Sequence, residues 1–255
     1  MLVIPLQSGS NGNCVYVEAA GSRLLFDAGI SGRQAQQRLA ELGRSIHDVD
    51  AVFVSHDHSD HARCLGIYHR KFGLPIHATR KTLAAARRRT NLGQIDEVHH
   101  FEAGRSISFG RIAIETVPTP HDGADGVAFV VDDGRRRLGI LTDLGHAFKG
   151  LVDVLRSLDA VLLESNYDPE MLRDGSYPPE LQLRIRGPGG HLSNGQAARL
   201  LAKTDGRLRW ACLAHLSEEN NDPSLALDTH HRIVGRRRWP IHVASRHKAT
   251  GVLEV

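Results

Sequence analysis

The stretch VSHDHSDH, residues 54–61, sets His56, His58, Asp60 and His61 within six positions, directly after the apolar run DAVFV. Such a run reads as a buried strand whose carboxyl end opens into a polar turn. Alternate residues on an extended segment point the same way, so His56 and His58 can grip one cation. Asp60 and His61, where the next helix starts, can reach a second. Neutral imidazole and carboxylate are ligands that zinc, manganese and iron accept. A solvated polar turn is the plainer reading, but it does not explain why a buried strand feeds these residues.

The setting also recurs. Asp27 ends RLLFD, His121 follows RIAIETVPTP, Asp143 ends RLGILTD, Glu164 ends AVLLE and His215 follows RWACLA. In layered α/β folds, ligands gather at the carboxyl ends of strands. Packing is the simpler account for any one of these residues, and a poor account of all five.

Working outward, short apolar runs alternate with turn chemistry along the chain. Asn11-Gly12, Ala20-Gly21-Ser22, Phe109-Gly110 and Asp132-Asp133-Gly134 predict hairpins. SGRQAQQRLAELG, ARCLGIYHRKFG, RKTLAAARRRT, HAFKGLVDVLRSL, SNGQAARLLAKT and PSLALDTHHRIVG have helical patterning. Hairpins mixed with crossover helices predict an α/β fold with two mixed sheets. The order of elements repeats loosely in two halves, which suits one four-layer αββα sandwich over residues 1–255, helices outside. GSYPPELQLRIRGPGG, residues 175–190, reads as an irregular excursion.

Composition narrows the class. Of the 255 residues, 41% are hydrophobic and 24% charged, with a formal net charge of +3; these are ordinary globular values. Cys14, Cys64 and Cys212 are widely spaced and odd in number, which argues against a disulfide framework or a disulfide-linked partner. MLVIPLQSGSNGN lacks the features of a signal peptide, and no run of eighteen apolar residues predicts a membrane span. A cytoplasmic protein is expected. The runs Arg87–Arg89, Arg135–Arg137 and Arg236–Arg238 read either as solubilising element ends or as a basic rim that attracts a polyanion.

HxHxDH followed by a lone His, a lone Asp and a late His resembles the metallo-β-lactamase superfamily, whose fold is an αββα sandwich. The resemblance spans residues 27–215. It implies two divalent metal ions, zinc, manganese or iron. His56, His58 and His121 would hold one, Asp60, His61 and His215 the other, and Asp143 would bridge them. Asp27 would orient the HxHxDH turn, as outer carboxylates commonly do. His61 is usual in phosphodiesterases, glyoxalase II and lactonases of the superfamily, and usually missing from its β-lactamases. The tail after His215 is short for a glutathione-binding region, and the interval from Asp143 to His215 is short for a β-CASP domain. LQSGSNGNC, ESNYDPEML and the pair GGHLSN and AHLSEENN are most similar to the YycJ/WalJ group, which is associated with nucleases.

The resemblance therefore implies a hydrolase of phosphodiester bonds with nucleic acid as substrate, a 5′-to-3′ DNA exonuclease being the expected form. A small-molecule hydrolase, a thioesterase or lactonase resembling glyoxalase II, is the alternative. Asp60, Glu164 and His191 are the expected catalytic residues; the last two match a proton-handling dyad of RNase Z. Ser193 and Gln196 have capping-box spacing, which puts His191 on a loop at a helix start. Ser10, Asn11, Ser193, Asn194, Ser217, Asn220 and Asn221 are candidates to meet substrate phosphates, with ordinary loop polarity as the rival account of each. SGSNGN (8–13) reads as an anion-binding backbone loop, as a hairpin turn, or as both.

Overall fold

In the computed structural model, which describes residues 1–204 and 207–255, the apolar runs pair into two seven-stranded sheets. The first half supplies β1 (Leu2–Gln7), β2 (Cys14–Ala19), β3 (Ser22–Phe26), α1 (Gly32–Glu41), β4 (Ala51–Phe53), α2 (Ser59–Ala62), α3 (Leu65–Phe72), β5 (Ile76–Ala78), α4 (Arg80–Arg89) and β6 (Val98–His100). The second supplies β7 (Ser106–Phe109), β8 (Ile112–Pro118), β9 (Val127–Asp132), β10 (Arg137–Leu141), α5 (Leu151–Arg156), β11 (Ala160–Glu164), α6 (Pro169–Asp174), α7 (Pro179–Arg186), α8 (Asn194–Ala202), β12 (Trp210–Ala214), α9 (Pro223–Val234) and β13 (Ile241–Val243). A last strand, β14 (Leu253–Glu254), returns to the outer edge of β1.

Each sheet runs antiparallel through its hairpins and then parallel through its crossovers. β1 to β3 and β7 to β10 are antiparallel neighbours. β3 to β6 and β10 to β13 are parallel. All four hairpins predicted from turn chemistry are present.

Side-chain alternation makes the layers, because successive residues of a strand face opposite sides. Ile4, Tyr16, Leu25 and Val52 pack outward beneath α1, α3 and α4 with Leu39, Leu65 and Leu83. Their neighbours Val3, Val17, Leu24 and Phe53 pack inward against Ile114, Phe129, Ile140 and Leu162 of the second sheet. Val130, Leu141, Val161 and Leu213 face the other outer layer, of α5, α8 and α9. The result is the expected αββα sandwich.

Two differences from the sequence reading have physical causes. β6 and β14 carry too little apolar alternation to announce themselves, and exist because a neighbouring edge pairs with them. The 175–190 excursion contains a helix, α7, that buries none of its side chains; its apolar residues Leu181, Leu183 and Ile185 fall at every second position, which is not helical spacing. The Ser193–Gln196 capping box forms as spaced, with the Ser193 side chain accepting from Gln196 N and the Gln196 side chain accepting from Ser193 N. Among the described residues, no helix is long and apolar enough to cross a membrane.

Phe53 is fully buried between the sheets, in ring contact with Phe26, Phe109, Phe129 and His77. Phe53→Ala should cost about 3–5 kcal/mol, read as a lowered denaturant midpoint at unchanged slope. On α9, His230 is buried; its Nδ1 meets Ala226 O and its Nε2 has no hydrogen-bond partner. Burial depresses its pKa to about 4. The unfolded chain, with a histidine pKa of about 6.5, therefore takes up a proton that the folded chain excludes as pH falls toward 4, and stability falls over that window. Melting temperatures across pH 4–7 should show this slope, and His230→Leu should flatten it.

Candidate metal centre and active site

The site forms where the carboxyl ends of β3, β4, β10, β11 and β12 converge. Asp27, Asp143 and His215 sit just past their strands with φ of 65°, 56° and 54°. Left-handed backbone costs a non-glycine residue about 1–2 kcal/mol, and such strain tends to collect at functional sites. Gly29 lets the segment after β3 press against the HxHxDH loop, since a Cβ there would lie 1.6 Å from Asp60 O. Ala28 N donates to His61 O and Asn13 N to Asp60 O, both at 2.7 Å, so that loop is clamped from two sides.

The structure brings the seven candidate ligands together. His56, His58 and His121 offer donor atoms within 4.8 Å of one another, as do Asp60, His61 and His215, and also His56, His61 and Asp143. Asp143 lies between the groups: its Oδ2 is 3.3 Å from His61 Nε2, and its Oδ1 is 3.4 Å from His215 Nε2 and 3.7 Å from His121 Nε2. Asp60 Oδ2 is 3.2 Å from His215 Nε2 and 3.3 Å from His61 Nε2.

These residues fit divalent ions. His56 Nε2 and Asp143 Oδ2 are buried with no hydrogen-bond partner, a costly condition unless another partner is intended. The outer nitrogens of the rings are already engaged. His121 Nδ1 donates to Gly190 O at 2.9 Å, His56 Nδ1 is 3.0 Å from Ser55 Oγ, and His61 Nδ1 is 2.7 Å from Asp27 Oδ2. Fixing one nitrogen of an imidazole sets which other nitrogen is free for a metal.

The electrostatics point the same way. Burial opposes charge on His61 most strongly, yet Asp143, Asp60 and Asp27 outweigh it and raise its pKa well above the ordinary value. Burial and Asp143 act likewise on His215, with a net rise to about 9. Burial works against the carboxylates of Asp60 and Asp143, but the surrounding imidazoles hold both well below the usual range. His56 and His58 are pushed down by burial and by their neighbours His61 and His121, His58 to about 4. Buried acids with this appetite for positive charge are suited to divalent cations.

Glu164 and His191 form a pair that adjoins the cluster, their donor atoms lying within 4.8 Å of those of Asp143 and His215. His191 Nδ1 lies 2.6 Å from Glu164 Oε1, and Leu144 N donates to Glu164 Oε2 at 3.0 Å. Glu164 is fully buried at the end of β11, whereas His191 is partly exposed. The His191 ring is 4.9 Å from that of His121 and 5.2 Å from that of His215. An imidazole oriented by a carboxylate next to a donor cluster can hold and release a proton.

The candidate phosphate contacts divide. Asn194, buried, accepts from Ser165 Oγ at 2.6 Å and from Asn221 Nδ2 at 2.9 Å, and Asn221 also donates to Ser165 O and Asn166 O. Ser193 caps α8, Ser217 Oγ accepts from Asn220 N, and Asn220 is itself buried. Asn194, Asn221, Ser193 and Ser217 hold the loops around Glu164 and His215 in place, whereas the Asn220 side chain has no hydrogen-bond partner. Ser10 is exposed and Asn11 half-buried. In the SGSNGN loop, Asn11 O accepts from Arg63 and Ser8 Oγ accepts from His215 N, so the loop is both a hairpin turn and a brace for the site.

The arginine runs do not form a common rim. Arg135–Arg137 precede or open β10, and Arg236–Arg238 precede β13, so both lie at the edge opposite His215 and Asp143. Arg137 pairs there with Glu115 and Asp132, and Arg136 with Asp159. Arg89 instead pairs at 2.5 Å with Asp57, inside the HxHxDH motif, and Asp57 also accepts from Ala124 N at 2.6 Å. His146 Nδ1 donates to Pro188 O.

Sequence reading missed several residues of the site. Asn13 Nδ2 is 3.0 Å from His61 Nε2 and donates to Asp60 Oδ2 at 3.2 Å. Asn166 Nδ2 is 3.0 Å from His215 Nδ1. Asp122 Oδ1 is 3.3 Å from His58 Nε2. Ser55, Asp57 and Asp122 each adjoin a predicted residue and Asn166 lies two positions after Glu164, and that nearness was the available signal.

Asp27 offers a separable test. Its Oδ1 accepts from Ser55 N and Oγ, while its Oδ2 faces His61 Nδ1. Asparagine tolerates left-handed backbone and can keep the Ser55 bonds, but its amide NH2 would face His61 and push the proton onto Nε2. Asp27→Asn should keep most of the chelated protein's stability while weakening metal uptake about 10–100-fold. Asp27→Ala should lose both, with about 1–3 kcal/mol of stability. Denaturant melts and chelator competition read the two effects.

Comparison with known proteins agrees with this geometry. A family model described as a Beta-lactamase superfamily domain matches residues 22–215. The chain is 39% identical over 226 residues to the protein named exodeoxyribonuclease WalJ of Streptococcus pneumoniae, covering 87% of this chain and 83% of that one. It is 36% identical over 223 residues to exodeoxyribonuclease YycJ of Bacillus anthracis, covering 87% and 84%. Among solved structures, the metallo-β-lactamase fold protein YhfI from Bacillus subtilis superposes with a TM-score of 0.75 at 15% identity, over 99% of each chain. Two face-to-face sheets, a histidine–aspartate cluster at their carboxyl edge and these similarities lead to one conclusion: the chain belongs to the metallo-β-lactamase-fold branch of the β-lactamase superfamily.

Proposed function

We propose that this protein is a dinuclear metal-dependent exodeoxyribonuclease that degrades DNA from the 5′ end. The observation that carries this reading is the 2.6 Å Glu164–His191 pair at the margin of the His/Asp cluster, with Glu164 held by Leu144 N. Phosphodiester cleavage expels an alkoxide that needs a proton, and a dedicated donor oriented by a buried carboxylate suits that demand. The two curated relatives, both named exodeoxyribonucleases, support the choice of DNA.

His56, His58 and His121 would hold one ion, and Asp60, His61 and His215 the other, with Asp143 shared between them. When bound, zinc, manganese or iron would polarise the phosphoryl oxygens, lower the pKa of the water that attacks phosphorus and supply charge for the oxygens that develop negative character. The chain's own residues do the rest. Asp27 and Ser55 keep His61 and His56 in orientation. Asp60, which contacts His61 and His215, holds its carboxylate toward the reacting group. Leu144 N fixes Glu164, Glu164 fixes His191 by its Nδ1, and His191 presents its remaining nitrogen to the leaving oxygen. Ser10, which is exposed, and Asn11 beside it would meet flanking phosphates.

The test uses metal-loaded protein with DNA strands labelled at either end. Progressive shortening from the 5′ end is expected, with loss of activity in His56→Ala. His191→Ala should retain its metal and lose about 10²–10⁴-fold in kcat. Turnover of thioesters or lactones with no cleavage of any phosphodiester would sink this reading.

A further inference from the structure

Asp122 follows the candidate ligand His121 and is engaged on two sides. Its Oδ1 lies 3.3 Å from His58 Nε2, while the other nitrogen of that ring, Nδ1, lies 3.2 Å from His121 Nε2. His58 is thus held between a carboxylate outside and the ligand cluster inside. Asp122 is in turn gripped by the guanidinium of Arg184, Nε to Oδ2 at 2.6 Å and Nη2 to Oδ1 at 3.1 Å. Arg184 belongs to α7, the helix that buries no side chain. Just past that helix, Gly189 O accepts from Asp122 N at 3.1 Å, and Gly190 O accepts from His121 Nδ1.

Asp122 Oδ1 is also 3.6 Å from His121 Nε2, so a direct ligand role has to be weighed. The two-pronged ion pair with Arg184 argues against it. A carboxylate committed to a guanidinium fork has much of its charge satisfied, and it remains a good acceptor for an imidazole N–H. An imidazole whose outer N–H is so fixed presents its other nitrogen, unprotonated, to the centre.

We propose that Asp122 is a positioning residue that fixes His58 with Nδ1 turned toward the His56–His58–His121 position, and that Arg184 holds Asp122 in place. The inference rests on the reading of the cluster as metal-binding and is independent of the substrate. It gives α7 a reason to exist that its packing does not supply, because the helix anchors a ligand's orientation from outside the core.

The experiment loads full-length protein with cobalt(II) and follows its visible spectrum and its chelator competition. Asp122→Ala should weaken one metal equivalent about 10–100-fold and shift the spectrum, with the melting temperature of the chelated protein unchanged. Asp122→Asn keeps an acceptor oxygen toward His58 but turns its NH2 toward Arg184 Nε, so it should recover part of the affinity. Arg184→Ala should reproduce the loss in smaller degree. Unchanged affinity and spectrum in both Asp122→Ala and Arg184→Ala would reduce the pair to a surface ion pair and overturn the proposal. Equal loss in Asp122→Asn and Asp122→Ala, with a spectrum showing one fewer carboxylate ligand, would overturn it in favour of direct ligation. A wild-type chain that takes up no cobalt overturns the metal reading and this one with it.

Discussion

The rest of this structure depends on burying carboxylates and imidazoles together at the edge of an apolar sandwich. Charge taken out of water is expensive unless it is paired and hydrogen-bonded. Here Asp60 and Asp143 are compensated by His61 and His215, and His61 in turn by Asp27. Around that cluster the chain accepts left-handed backbone at Asp27, Asp143 and His215 and the close approach of Gly29 to Asp60 O. The stiff double core holds these strained ends in place, with Phe26, Phe53 and Phe129 locked between the sheets.

Orientation is supplied from outside the cluster, and each imidazole has its own restraint. Ser55 faces His56, Asp122 faces His58, Asp27 faces His61, Gly190 O accepts a hydrogen bond from His121, Glu164 faces His191 and Asn166 faces His215. The restraints come from different segments: the HxHxDH turn, the end of β3, the loop after β8, the loop after α7 and the end of β11. The site is therefore a property of the whole carboxyl edge, and a change in any of these segments reaches it through a ring orientation.

The same geometry separates the two His-Leu-Ser tripeptides of the sequence. His215 follows β12 and points its Nε2 at Asp60 and Asp143. His191 precedes the capping box of α8 and gives its Nδ1 to Glu164. One context is a strand end held by the sheet; the other is a loop held by a helix start. Identical neighbours in sequence thus reach different partners, because the preceding elements, RWACLA and RGPGG, deliver them differently.

Periodicity and turn residues were enough to read two mixed sheets, the four hairpins and the clustering of Asp27, His56, His58, Asp60, His61, His121, Asp143, Glu164 and His215 at strand ends. Those features are written locally: an apolar strand, a polar residue after it, a Gly or Asn where the chain must turn. What only the tertiary structure decided is non-local. Asn13, Asp122 and Asn166 acquire their contacts from loops distant in the chain, so the sequence shows at most their nearness to a predicted residue and not what they touch. α7 lacks helical apolar spacing, and β6 and β14 are strands only because a neighbour pairs with them. The arginine runs look alike on paper, yet Arg89 braces the ligand turn while the other two runs lie at the opposite edge. Strand direction decides that division, since a residue's end of the sheet follows from how the chain crosses over.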